Sequence, residues 1–355
     1  MTWLGEQLGR IADEMPEHDL AARAIAVHQR RRRNLVALAA AAVVVVTLVA
    51  VTAGVRALPA EPPVAASPPE LSTVRIGLIP SVEAAPVYLA LMEGYFQEEG
   101  LTVEPMMITG AAGAVPQAET GALDLAQTDY TTHFRAYELG RRDFRIVSSL
   151  HQAAPGSFAI VVHPESKIRT MADLKGKRVA IPNLMDRGEL TVRAALKHAG
   201  LSRDDVKLVE VPYPQVAAAI DKGKIAAALL AEPFVTTFQD TGQVRVLENA
   251  IPREFENLHT AGIAATAEWV REHPRTLAAF QRALAKAQHL IASDPEQVRG
   301  VVPTYTRVER RQAAKVTFGS YPAEPDRGEL QRLADLARAH GIIEQPADLG
   351  RLLGE

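Results

Sequence analysis

The sequence predicts an α/β protein of two lobes preceded by a single transmembrane helix. Three observations carry that reading: an uncharged apolar run from Leu35 to Val55, a proline-rich stretch directly after it, and two rounds of alternating strand and helix patterns from Ser72 onward.

The run LVALAAAAVVVVTLVAVTAGV holds 21 residues and no charge. At 1.5 Å of rise per residue it makes a helix of roughly 31 Å, close to the ~30 Å hydrocarbon core of a bilayer. Arg30, Arg31, Arg32 and Arg33 stand before it and Arg56 alone follows closely. The excess of positive charge on the N-terminal side places residues 1–33 in the cytoplasm as a short tail and everything after the helix, 34–56, outside. Val51-Thr52-Ala53 would suit a signal peptidase, so a cleaved leader is the rival reading. The run is longer than the usual ~7–15 apolar residues of such a leader, which favours a retained signal-anchor. Trp3, Leu4, Leu8 and Ile11 suit a short amphipathic helix before Pro16, either a docking tail or a solvated leader. Residues 57–71 form the stalk: five prolines between Leu58 and Glu70 hold these thirteen residues extended, a reach of about 40 Å.

The 355 residues, 47% hydrophobic and 23% charged, suffice for about two domains. A net charge of −3 is too small to argue for nucleic acid. The absence of cysteine excludes disulfides, thiolate metal sites, a cysteine nucleophile and a lipid anchor on an N-terminal cysteine. No cofactor or metal is expected.

Val74–Ile79 reads as a strand ending at Pro80, and Pro86 suits the first turn of a helix over Val87–Met92. Leu101–Glu104 and Leu123–Ala126 are strands, separated by a flexible Gly110–Gly113 loop and a helix stopped at Gly121. Alternation of this kind argues a parallel sheet. The same grammar restarts with strands at Phe158–Val162 and Arg178–Ile181, a helix over Leu190–Ala199, a strand at Val206–Val211, a helix over Gln215–Asp221 and a strand at Ile225–Leu230. The last ninety residues are helical. Leu277, Phe280, Leu284, Ala287 and Ile291 recur at spacings of three and four as a packing stripe, and Leu330, Leu333, Leu336 and Ala337 form another.

These residues also carry a resemblance. APVYLALMEGYFQEEGLTVE, ETGALDLAQTD, ADLKGKRVAIP, AALKHAGLSRDDVKLVEV and IDKGKIAAALLAEPF, in that order, look like the ABC-importer solute-binding proteins of the nitrate, sulfonate, taurine and thiamine-pyrimidine-precursor branch. The resemblance covers Val74 to the C-terminus. It implies a two-lobed type II periplasmic-binding-protein fold, with lobe 1 over 72–160 and 262–355, lobe 2 over 161–261, and a hinge near Phe158–Val162 and Ala261–Ala265. It further implies a monomer that closes on a small-molecule ligand and meets an ABC permease and ATPase.

In open α/β sheets ligands sit beyond the carboxyl ends of strands, where helix N-termini point inward. The candidate loops are therefore Pro80–Ala85, with Pro80 and Glu83; Thr109–Gly113, with Gly110, Ala111 and Ala112; Gln127–Tyr130; Asn183–Glu189; and Ala231–Phe234. The small residues of the second loop let backbone approach a ligand, or serve as a plain connector. Thr128 and Tyr130 read as ligand contacts, and Asp129 as either a contact or a helix cap. Asn183 sits on the lobe 2 lip. Arg187 either clamps an anionic group with its planar fork or pairs locally with Asp186 or Glu189. Four acids, Glu83, Asp129, Glu189 and Glu232, against this one arginine suit a neutral or amine-bearing ligand. Glu232-Pro233 matches the strand-end pattern of the resembled family.

An enzyme is disfavoured. The pyrimidine-precursor synthases that resemble this branch use a cysteine-rich segment, an enzyme of menaquinone synthesis would be cytoplasmic, and His133, His151, His163 and His259 are scattered. A sensor signalling through the short tail is the remaining alternative.

Overall fold

The computed structural model describes residues 67–353 apart from 109, 142, 250–254 and 256. The expected tail, transmembrane helix and most of the stalk lie outside the described residues, among which no helix is long and apolar enough to cross a membrane.

Among the described residues, ten strands build two five-stranded sheets. The first sheet joins β1 (Thr73–Leu78), β2 (Thr102–Met107), β3 (Leu125–Asp129), β4 (Phe144–Gln152) and β10 (His259–Thr266) in the order β2-β1-β3-β10-β4. The second joins β5 (Phe158–Val162), β6 (Arg178–Ile181), β7 (Lys207–Glu210), β8 (Ala227–Ala231) and β9 (Arg245–Asn249) in the order β7-β6-β8-β5-β9. Helices of seven residues or more are α1 (Ala85–Glu93), α2 (Ala111–Glu119), α3 (Tyr130–Glu138), α4 (Arg187–His198), α5 (Tyr213–Asp221), α6 (Phe234–Asp240), α7 (Pro274–Ser293), α8 (Glu296–Tyr305) and α9 (Arg327–Ala339).

The expectation of purely parallel sheets is corrected at one strand in each. β1 runs parallel to β2 and β3, whereas β10 is antiparallel to both neighbours, β3 and β4. In the second sheet β5 is antiparallel to both β8 and β9. Each exception is the first strand laid down after the chain enters that sheet from the other lobe, so no helical crossover fixes it parallel.

The lobe boundaries move for the same reason. β5 pairs with β8 from Phe158↔Ala231 to Val162↔Ala227, so all of it belongs to lobe 2. The first crossing is therefore 153–157, and β10 belongs wholly to the first sheet, so the expected hinge at Ala261–Ala265 lies inside that sheet. The stalk boundary shifts too. The Glu70 carboxylate accepts from the Arg275 and Thr276 backbone N–H groups at 3.1 and 2.7 Å, capping α7, whose own N-cap His273 offers no side-chain bond.

Burial follows the expected patterns. β5 and β8 are buried along their whole length, as suits strands covered on both faces. Pro105 is tolerated in β2 because that strand lies at the sheet edge. The α7 stripe is core as read: Phe280, Leu284, Ala287 and Ile291 are buried against Val74, Ile76 and Val87, with Phe280 stacked on Phe96 at 5.1 Å. A second cluster runs from Tyr130 and Phe134 through Ile160 and Leu190 to Leu330 and Leu333 of α9.

Candidate functional site

Where the strand ends of the two lobes face each other, they enclose a cleft of about 520 Å³, within the usual range for small-ligand sites. Its walls are the loops after β1, β6 and β8 and the end of β3, the carboxyl ends that the chain pattern marked.

Glu83 lies in the short 3₁₀ turn Val82–Ala84 and is buried at 7% exposure. Its Oε1 accepts from Nη1 of Arg187, a residue of the opposite lobe. Its Oε2 accepts from Gln127 Nε2 at 3.2 Å, and Gln127 Oε1 accepts from the Ile79 N–H at 2.9 Å. Arg187 opens α4, and its guanidinium lies over the Phe158 ring, 4.9 Å from the centroid. Burial alone would raise the Glu83 carboxyl; the charge of Arg187, with help from His151, overrides it and holds that carboxyl below its usual range. The arginine is therefore paired, but with Glu83 rather than with Asp186 or Glu189.

His151 stands 3.9 Å from Glu83 Oε1 and is hydrogen-bonded through Nδ1 to Thr260 Oγ1 at 2.6 Å. Burial, more than the nearby charges, lowers its pKa to about 4, so its ring is neutral near pH 7. Farther along the cleft, Asp129 caps α3 by accepting from the Thr132 N–H at 2.8 Å, and Asp186 caps α4 through the Gly188 N–H at 2.7 Å. Burial, and then the charge of Asp129 across the cleft, pushes the Asp186 carboxyl up to about 7. Glu232 accepts from the Thr236 N–H and hydroxyl at 3.0 and 2.7 Å and from the Thr317 N–H at 3.2 Å, and burial raises its pKa.

Of the residues singled out in the sequence, Pro80, Glu83, Gly110, Thr128, Asp129, Asn183, Arg187 and Glu232 line this cleft. Gly110 faces Asn183 closely: a Cβ there would stand 3.6 Å from Asn183 Nδ2. Ala111 and Ala112 open α2 instead of extending the loop. Two expected contacts are corrected. Tyr130 is 1% exposed and lies behind the sheet, edge-on to His259 at 5.9 Å and close against Gly262. Glu189 sits two residues beyond Arg187 on α4, about 200° around the helix, and so points away from the cleft. There it pairs with Arg193 at 2.6 Å and accepts from the Met185 N–H at 2.8 Å.

Gln127, Asp186 and Phe234 fall within the candidate loops without having been singled out as contacts, whereas His151, Phe158 and Tyr213 were passed over as site residues. Tyr213 and Phe234 form a tilted pair with centroids 5.5 Å apart. Both follow strand ends, and counting aromatics at those ends would have found them. Among the described residues lining the cleft, Arg187 is the single lysine or arginine, facing four carboxylates.

Residues 81–298 match the family described as NMT1/THI5 like, well over half of the chain. The chain belongs to the NMT1/THI5-like family. Among its curated relatives, the riboflavin-binding protein RibY of Chloroflexus aurantiacus is 26% identical over 263 residues, 70% of this chain and 72% of that one. The formylaminopyrimidine-binding protein of Halalkalibacterium halodurans is 24% identical over 66% of this chain and 71% of its own. Among solved structures, the alkanesulfonate-binding protein SsuA of Xanthomonas axonopodis pv. citri bound to MOPS superposes with a TM-score of 0.67 at 19% identity. It covers 80% of this chain and 97% of that one. At that identity the likeness shows the fold: the two sheets of this NMT1/THI5-like chain are those of a periplasmic binding protein.

Proposed function

We propose that this protein is the extracytoplasmic solute-binding component of an ABC importer, tethered by the Leu35–Val55 helix. It captures an uncharged or amine-bearing nitrogen compound of planar, pyrimidine or flavin-like shape between two closing lobes. The observation that carries the ligand class is the pairing of Arg187 with Glu83, which leaves an anion no free cationic side chain among the described residues of the cleft. Phe158, Tyr213 and Phe234 supply ring faces. The relatives named for riboflavin and formylaminopyrimidine support the same class. The order of the sequence motifs supports the importer role. The tether rests on the apolar run and on the four arginines before it.

Isothermal titration calorimetry on the full chain in detergent tests this, with riboflavin, aminopyrimidines, taurine, an alkanesulfonate and nitrate as titrants. Micromolar binding, about −8 kcal/mol, is expected from a heterocycle, with the anions silent at millimolar concentration. Tight binding of an anion with silent heterocycles overturns the ligand class.

A further inference from the structure

We infer that Glu83 is the specificity-determining residue of the cleft: it serves as a built-in counter-anion that occupies Arg187 and so excludes anionic solutes. The inference rests on the reading of the cleft as a solute site and names what sets its charge preference.

Glu83 is positioned to be a permanent occupant rather than a movable lip residue. Gln127, itself fixed by the Ile79 N–H, holds one carboxylate oxygen. The turn that carries Glu83 is clamped from behind by two tyrosine hydroxyls, Tyr305 donating to the Ser81 carbonyl at 2.9 Å and the buried Tyr321 to the Val82 carbonyl at 3.0 Å. Tyr305 is held in turn by stacking on Tyr88 at 3.9 Å. The carboxylate therefore stays in place while Arg187 arrives from lobe 2, braced on Phe158. A sulfonate or nitrate entering the cleft would have to displace a fixed, desolvated carboxylate from its only arginine. Asp129 lines the same cleft, so the exclusion works by repulsion as well as by an occupied partner. An uncharged edge carrying both an acceptor and an N–H, such as an amide or imide of a heterocycle, can share the pair without breaking it, accepting from the guanidinium and donating to the carboxylate.

The test is Glu83→Gln in the full chain in detergent, titrated by calorimetry with taurine, propanesulfonate, nitrate, riboflavin and an aminopyrimidine. Removing the counter-charge is expected to raise affinity for at least one of the anions by about tenfold or more. In Glu83→Gln/Arg187→Gln, with the released cation also gone, that gain disappears. Glu83→Ala repeats the measurement should the amide variant fail to fold. A purely structural tie between the lobes predicts a lower melting temperature and weaker binding of every titrant, with no anion gained; that result overturns the inference. Its failure is distinct from failure of the solute-binding reading, in which the wild-type chain binds none of the five.

Discussion

Gly319→Ala tests how tightly the segment after α8 is fitted against the floor of the cleft. A Cβ at position 319 would fall 1.8 Å from the Gln152 carbonyl oxygen and 2.6 Å from His151 Nε2. Neither neighbour can yield cheaply. The carbonyl is backbone at the end of β4, and the imidazole is a buried wall of the site. The chain at 319–320 must then move away, and with it go three hydrogen bonds to Gln152. These are Gln152 N–H to the Ser320 carbonyl at 2.9 Å, Ser320 N–H to the Gln152 carbonyl at 3.1 Å, and Ser320 Oγ to Gln152 Oε1 at 2.9 Å. At about 1 kcal/mol each, the loss is about 3 kcal/mol. For a folded unit of about 290 residues, Ser67–Glu355, the unfolding entropy makes this a fall of about 5 °C in Tm. Circular dichroism melting of the full chain measures it. Gly300→Ala is the internal control: it lies exposed within α8 with no atom within 4 Å of the added Cβ, so the gain in helix propensity should raise Tm slightly. A Gly319→Ala variant that melts within a degree of wild type, beside a responsive control, would refute the claim that this contact is fixed.

Three further outcomes follow from burial. Phe280→Ala removes a fully buried ring stacked on Phe96 and should cost about 3–5 kcal/mol, read from the urea midpoint at unchanged slope; a loss under about 1 kcal/mol would mean that α7 does not pack as described. Asp186 has its carboxyl raised from 3.8 to about 7, so between those values the folded chain holds a proton that the unfolded chain has lost. The group's contribution is greatest below about pH 4 and is lost as pH rises to about 7. Asp186→Asn keeps a capping side chain and removes this titration. The excess of the variant's Tm over wild type should then grow from pH 4 to pH 7 and level off above, and a difference independent of pH contradicts the assignment. His133, His151 and His259, each lowered to about 4 with burial the main cause, act oppositely and make the wild-type fold lose stability as pH falls from 6.5 towards 4.

The architecture was legible where one physical signal dominated. Phe158–Val162 and Arg178–Ile181 are strands with the bounds that their apolar runs suggest, and the α7 stripe faces the core at the expected positions. What the sequence did not disclose is β4, β9 and β10. β4 carries Ser148, Ser149 and His151, polar groups buried with partners that only the fold supplies, among them His259 for Ser149 and Thr260 for His151. β10, HTAGIAAT, has small residues and a glycine where a strand pattern would show branched side chains, because Gly262 must leave room for Tyr130 beneath it.

The site was legible at the level of loops and illegible at the level of charge. Counting four acids against one arginine leads to a non-anionic ligand, whereas the proposal of that class rests on a different set of charges. Glu189 leaves the count because helical rotation turns it out of the cleft, and Asp186 enters it because the N-cap of α4 turns it in. Glu232 is engaged with Thr236 and Thr317, and Asp129 with the first turn of α3, so neither is a free negative charge awaiting a cation. What decides is a pair 104 residues apart, Glu83 with Arg187, which no local pattern could join because each half looks like an ordinary lip residue of its own lobe. Net charge counted along a loop is therefore the wrong variable for a two-lobed site. The relevant quantity is which charges remain unpaired once the lobes meet, and in this cleft the cation is already taken.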